Sequence, residues 1–463
     1  MSDVDVELVV AGAGGAGLVA ALVAAQQGLS VAVVEWKEQF RRGNNTSMST
    51  AMIPAAGTRW QREAGIEDGP EVFLDDIRRK TKASADPIVA RSLVDVGPEL
   101  VHWLADECGI RLELVTEFIY PGHSRARCHS VPDRSGTSLL SALLAVVESL
   151  PSVDLIVPAR LVDVRIDDEG SVCAAVLEDP QGNRQEVLTS AVVLATGGFG
   201  ADGERVARDI PEMAGSMYFG GDGCVGDALS IGERLGADTA YLDAYQGHGS
   251  VAVPHGVLTT WATIMHGAIL VNCDGERFGD ETTGYSEYAR LVLDQPDGVA
   301  WLLLDERIDE ACRPFKDYQD LVGQGAVRWA DDVVGLAVKL DLPVEPLTRT
   351  IADAALSAID AGALDLFGRV SWEAPLAGRL GAVRVTGALF HTQGGLQVDY
   401  HARVLRGDEP IRGLYAAGGA AAGISGGGAS GYLAGNGLIA ALGLGYRAGR
   451  TVANAVRAER LMA

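Results

Sequence analysis

Apolar and polar positions divide the chain into stretches with different periods. Residues 7–11 are an apolar run, 18–27 carry apolar residues at helical spacing, and 31–34 are β-branched and end at Glu35. The opening is therefore predicted to run strand, glycine loop, helix, strand. Helical periodicity follows at 88–108 and 137–149. A strand-rich region then covers 153–195, with turn signals at Asp168-Glu169-Gly170 and Pro180-Gln181-Gly182-Asn183. From about 248 to 389 the pattern changes to strands at 269–272 and 301–305 and acidic amphipathic helices around 331–339 and 348–361. The last stretch returns to glycine-rich strand and helix, with 413–417 leading into a helix from about Asn436. This order predicts an α/β protein: a two-piece Rossmann-like nucleotide-binding domain (1–242 and 389–463) with an inserted α+β capping domain (243–388) that covers the substrate.

Composition narrows the classes. A chain of 463 residues, 48% apolar and with 58 glycines, is too long for one core and too apolar for disorder. The balance of 38 Lys+Arg against 62 Asp+Glu, −24 overall, argues against nucleic acid and anionic lipid as partners. Cys108, Cys128, Cys173, Cys224, Cys273 and Cys312 are scattered without a Cys-x-x-Cys pair. They read as buried small residues of a reducing, cytoplasmic compartment. His102, His123, His255, His266 and His401 show no ligand spacing, so no metal is expected. The N-terminus lacks a charged region ahead of an apolar one, so no signal peptide is expected. The uncharged stretch 414–446 is broken by glycines, so no integral membrane segment is expected there.

Gly12-Ala13-Gly14-Gly15-Ala16-Gly17 follows the first strand and opens the first helix, and Glu35, followed by Trp36, ends the second strand. Such a loop lets backbone approach a pyrophosphate at a helix N-terminus, and the acid can accept from ribose hydroxyls. The loop by itself does not separate NAD from FAD.

A second turn, Ala195-Thr196-Gly197-Gly198, returns after a later strand. With Gly43-Asn44-Asn45-Thr46-Ser47, Gly267-Ala268-Ile269-Leu270-Val271-Asn272, Gly275-x-Arg277-Phe278-x-x-Glu281, His391-Thr392-Gln393-Gly394-Gly395, Tyr415-Ala416-Ala417-Gly418 and Gly435-Asn436-Gly437-Leu438, the chain resembles the fumarate reductase/3-ketosteroid dehydrogenase flavoproteins over nearly its whole length. The resemblance implies FAD, held by Gly12, Gly14, Gly15, Ala16, Gly17, Glu35, Trp36, Asn45, Thr46, Ser47, Ala195, Thr196, Gly197, His391, Gly418, Asn436 and Leu438. It also implies that the last helix points its N-terminus at the flavin pyrimidine edge. Asn45 stands where covalently linked relatives carry His, so FAD is expected to be non-covalent. His129, in a family Arg-x-His, either lies near the flavin or packs the core.

Fumarate-reducing relatives hold a dicarboxylate with two Arg and two His. In the same places this chain carries His248, Thr260, Trp261, Tyr285, Phe390 and Tyr432. Carboxylates stripped of water need paired guanidinium groups, so the dicarboxylate is disfavoured. Tyrosines at 285 and 432 resemble the 3-ketosteroid dehydrogenase branch, in which one Tyr takes a proton beside a carbonyl and the other hydrogen-bonds that carbonyl. The resemblance thus implies Tyr285 as base, Tyr432 and the backbone near Gly435 as carbonyl donors, and Tyr120 over the pocket. His248 is a site residue or a satisfied core histidine, and Tyr120 can equally pack its loop. The expected activity is desaturation of a neutral cyclic ketone, with a 3-ketosteroid the leading class, coupled to an external electron acceptor. Its rivals are a reductase of a neutral activated alkene and an electron-carrying flavoprotein without a pocket.

Overall fold

The computed structural model describes residues 4–117, 119–359 and 365–462; Phe118, and the end of the helix expected at 348–361, lie outside them. The chain packs as two compact units. The first comprises Met1–Ala214, Gly220–Gln246 and His391–Ala463, and the second Gly215–Phe219 and Gly247–Phe390.

The first unit is built on a six-stranded sheet in the order Arg403–Arg406, Glu409–Ala416, Ala191–Leu194, Leu8–Ala11, Val31–Val34, Val153–Ile156. All neighbours are parallel except the first pair. Every residue of Leu8–Ala11, Val31–Val34 and Ala191–Leu194 is buried. Short β-branched runs suit such strands because both faces are covered, by helices and by strand Val172–Glu178. Helix Gly15–Gln26 lies along the long helix Asn436–Met462. A Cβ at Gly445 would fall 2.4 Å from the Ala16 carbonyl oxygen, and one at Gly449 2.6 Å from that of Ala20, so glycine sets this close approach. Strands Arg160–Ile166, Val172–Glu178 and Arg184–Leu188 form an antiparallel meander. In its two turns the Asp167 and Asp179 carboxylates accept backbone N–H bonds.

The second unit has a mixed sheet whose long strand, Leu380–Thr392, pairs with Val299–Asp305, Arg328–Ala330 and Met217–Tyr218. Alternation along its strands feeds two cores. Leu270, Ala300, Leu302, Leu304, Val383 and Val385 face one, while Ile269, Val271, Trp301, Leu303, Leu380 and Ala382 face the other. Two helices begin elsewhere than periodicity suggests. The helix expected from 331 starts at Val333, because Asp332 caps it by accepting from Gly335 N–H at 2.7 Å. The helix expected from 348 starts at Val344. One cysteine expectation fails: Cys273 is exposed and Cys173 half-buried, since Cys273 lies in the turn after Ile269–Val271 and Cys173 just past a turn, near the start of Val172–Glu178.

No helix among the described residues is long and apolar enough to cross a membrane.

Candidate active site

The parallel strands of the first unit end in register, with Ala11 paired to both Val34 and Leu194, and Leu194 paired to Ala416. The glycine loop, Glu35, the Ala195-Thr196-Gly197 turn and Gly418 therefore emerge side by side, at the carboxyl edge where α/β sheets bind ligands. Gly12 has φ +107°, and a Cβ there would lie 2.3 Å from the Ala195 carbonyl oxygen; one at Gly17 would lie 1.9 Å from that of Gly12. No other residue fits this crossing. At Gly14 the nearest atom is Thr46 Oγ1, at 3.7 Å, which leaves backbone open to a phosphate. Gly15 N–H donates to Thr46 Oγ1 at 3.0 Å. Glu35 accepts from Ala13 N–H at 3.0 Å and from Lys37 N–H at 2.9 Å, so its carboxylate braces the glycine loop. Trp36 lies beneath the Lys37 ammonium, 4.3 Å from its ring centre. Asn45 accepts from Gly221 N–H at 2.7 Å, while Ser47 is spent within its own turn on Asn44.

Two buried polar atoms here have no protein partner: Thr196 Oγ1 and Asn436 Oδ1. An unpaired buried oxygen costs about 1–3 kcal/mol, so this edge is built for a ligand with donors of its own. The open glycine loop, the brace at Glu35 and the orphaned oxygens fit FAD.

Tyr432 and Gly435 lie in the loop before the long helix. The Tyr432 ring is buried and meets His391 edge-on at 5.9 Å. The neighbouring Ala434 is held through both backbone groups, its N–H donating to Pro121 at 3.2 Å and its carbonyl accepting from His123 Nε2 at 2.8 Å. Tyr120, one residue before Pro121, packs on Met52, Val115 and Cys128, and burial pushes its phenol pKa up. His129 is buried and paired with Thr58 Oγ1 at 2.9 Å.

In the second unit four rings stack in sequence. Tyr285, the first residue of helix Tyr285–Leu293, lies 4.9 Å from His248; His248 lies 5.1 Å from Phe390; Phe390 lies 5.0 Å from Phe219. Trp261 meets His248 edge-on at 5.5 Å. Ser250 donates its hydroxyl proton to the Thr259 carbonyl at 2.6 Å, so its oxygen receives His248 Nδ1–H at 3.2 Å. This assigns the tautomer and leaves Nε2 as an acceptor. Burial lowers the His248 pKa to about 3, so the ring is neutral. Arg277 and Arg369 are both spent on the buried Glu281, at 2.7 and 3.2 Å. Arg277 also pairs with Asp365. This wall is built of stacked rings, and the two arginines paired with Glu281 are not available to it.

A model described as FAD binding domain matches residues 7–438. The chain belongs to this FAD-binding family. FAD is its cofactor, and the protein is an FAD-dependent oxidoreductase. It is 31% identical over 426 residues to the NADH:fumarate oxidoreductase of Klebsiella pneumoniae (strain 342), covering 91% of this chain but only 45% of that protein. Among solved structures, an open flavocytochrome c3 fumarate reductase matches with TM-score 0.80 and 27% identity over 97% of this chain and 78% of that one. The 3-ketosteroid-Δ4-(5α)-dehydrogenase of Rhodococcus jostii RHA1 matches with TM-score 0.74 and 25% identity over 98% of both chains. The sequence relatives include fumarate reductases, and the ketosteroid enzymes are likenesses of structure.

Sequence reasoning did not single out Gln393 or Ser425. Both are buried against Asn436 and His391. Gln393 lay within a quoted motif, while Ser425 sits in a glycine run that carries no signal of its own.

Proposed function

We propose that this FAD-dependent oxidoreductase acts on the CH–CH bond beside a neutral carbonyl, desaturating a cyclic ketone at its α,β-carbons, with 3-ketosteroids the first class to test. The observation that supports this most is the ring stack around Tyr285, with Arg277 and Arg369 both committed to Glu281. An anion placed against it would lose hydration without gaining a guanidinium partner. His248 offers a lone pair at Nε2 and no proton, so it cannot hydrogen-bond a carboxylate there. An apolar ring system carrying one carbonyl suits such a wall.

Bound without a covalent link, FAD supplies the two-electron acceptor for a hydride from the β-carbon. Tyr285, after giving its own proton to solvent, takes the α-proton as its phenolate. A phenol with an ordinary pKa near 10 is a weak base, and the proton becomes removable when the carbonyl is polarised. Tyr432 O–H and the backbone N–H near Gly435 are assigned that task, each such donor being worth about 3–4 kcal/mol. Tyr120 is assigned to the substrate's apolar body. An external acceptor then reoxidises the enzyme.

The names of the sequence relatives favour a second reading: the same residues running in reverse, with Tyr285 giving its proton to a neutral activated alkene. Anaerobic spectra decide between them. Bleaching of the oxidised flavin by saturated cyclic ketones supports desaturation, and reoxidation of dithionite-reduced enzyme by enones alone supports reduction. No response to either class overturns both.

A further inference from the structure

At the start of the last helix four side chains form one directed chain of hydrogen bonds. Asn436 Nδ2 donates to Ser425 Oγ at 3.2 Å, and the Ser425 hydroxyl donates to Gln393 Oε1 at 3.2 Å. Gln393 Nε2 then lies 3.0 Å from His391 Nδ1, the shorter contact, and 3.5 Å from His391 Nε2. Asn436, Ser425 and Gln393 are 0%, 1% and 4% exposed, so water does not substitute for these partners. The polarity of each link sets the next. With its carbonyl occupied by Ser425, Gln393 can offer His391 only N–H, so Nδ1 accepts and Nε2 carries the ring proton. The Thr392 carbonyl is also 3.3 Å from Nδ1; the nearer amide donor decides the tautomer.

The two ends of the chain are complementary. Asn436 ends in Oδ1, a buried acceptor with no partner. His391 ends in a donor at Nε2, whose ring edge lies over Gly437: a Cβ there would stand 2.9 Å from Cε1 and 3.0 Å from Nε2. A donor and an acceptor thus sit together at the N-terminus of helix Asn436–Met462, where the helix dipole also favours negative charge. Phosphates offer no donor to Asn436 Oδ1. An imide edge, with N–H beside C=O and negative charge on reduction, satisfies both ends.

We propose that Gln393 and Ser425 are positioning residues that lock the Asn436 amide and the His391 tautomer so as to grip the imide edge of the FAD isoalloxazine. The proposal rests on FAD binding and not on the ketone reading, so it is tested without substrate. The full-length holoenzyme is compared with Asn436→Ala, Ser425→Ala and the double variant, reading FAD affinity by flavin fluorescence and displacement of FAD by ADP. Asn436→Ala weakens FAD by about tenfold, the factor for one lost buried acceptor bond. Ser425→Ala weakens it less, and the double variant is no worse than Asn436→Ala, because both act through one amide. ADP, which lacks the isoalloxazine, displaces FAD with the same intrinsic affinity in every variant. Ser425→Thr, which keeps the hydroxyl, restores FAD binding. The near-isosteric Gln393→Glu removes the donor to His391, reverses its tautomer and shifts the flavin absorption band even at full loading. Losses that multiply in the double variant, ADP binding weakened in step with FAD, or an unmoved spectrum in Gln393→Glu would each overturn the proposal.

Discussion

The imidazole of His248 lies nearly parallel to the phenol of Tyr285, their centroids 4.9 Å apart and their planes 18° from parallel. Because burial keeps His248 neutral, the stack orients the phenol without lending it positive charge. A proton passed to or from Tyr285 must then be driven from the substrate side, by polarisation of the carbonyl. This relationship underlies the first two predictions.

Tyr285→Phe should abolish flavin reduction by a ketone while leaving ketone binding nearly intact, because the lost group acts mainly in the transition state. Tyr432→Phe should lose about 10²–10³ in rate and also bind more weakly, since the carbonyl contact exists before reaction. Stopped-flow flavin reduction against ketone concentration separates the two. A wild-type rate in Tyr285→Phe would send the proton elsewhere, with the lone pair of His248 Nε2 the next base to test.

Fumarate and succinate should neither oxidise nor reduce the flavin at useful rates, despite the names of the sequence relatives. Arg277 and Arg369 are committed to Glu281, and the resemblance implies tyrosines at the two clamp positions. Fumarate turnover matching that of an enone, measured with a reduced dye as donor, would contradict the neutral-carbonyl reading.

Heat or acid should release intact FAD, because Asn45 offers no nucleophilic ring nitrogen and is engaged with Gly221. Flavin retained on the denatured chain after gel filtration would refute this. Glu35→Ala should weaken FAD by roughly 1–3 kcal/mol, through the lost ribose contact and through release of Ala13 N–H, which Glu35 now holds. Fluorescence titration measures the loss.

Acid should destabilise the fold well before the carboxylates titrate. Burial lowers His248 to about 3 and His123 and His129 to about 4, against about 6.5 in the unfolded chain. At pH 5 the unfolded state binds protons that the folded state refuses. Stability is therefore full above about pH 6.5 and is lost as pH falls toward 4, by about 2 kcal/mol per histidine at pH 5. Urea unfolding of His129→Gln should show a shallower decline between pH 7.5 and 5 than the parent. Parallel curves would mean that His129 already titrates normally in the fold.

Local chemistry made much of this protein legible in its sequence. A β-branched run, a glycine loop and a terminal acid imply a nucleotide turn because backbone approach, helix dipole and ribose contact demand those residue types in that order. The resemblance to a family, and not local chemistry, reached Thr196 and Asn436, which sit in short motifs at strand and helix ends. The helix start at Val333 was not legible, since the Asp332 cap and not periodicity sets it. Tertiary structure alone decided which polar groups are spent and which remain. It commits Arg277 to Glu281, makes His248 neutral by burial, and leaves Asn436 Oδ1 unpaired. It also joins Ser425 to residues far away along the chain through Gln393. Hydrogen-bond direction and desolvation depend on neighbours distant in sequence, so no local pattern carries them.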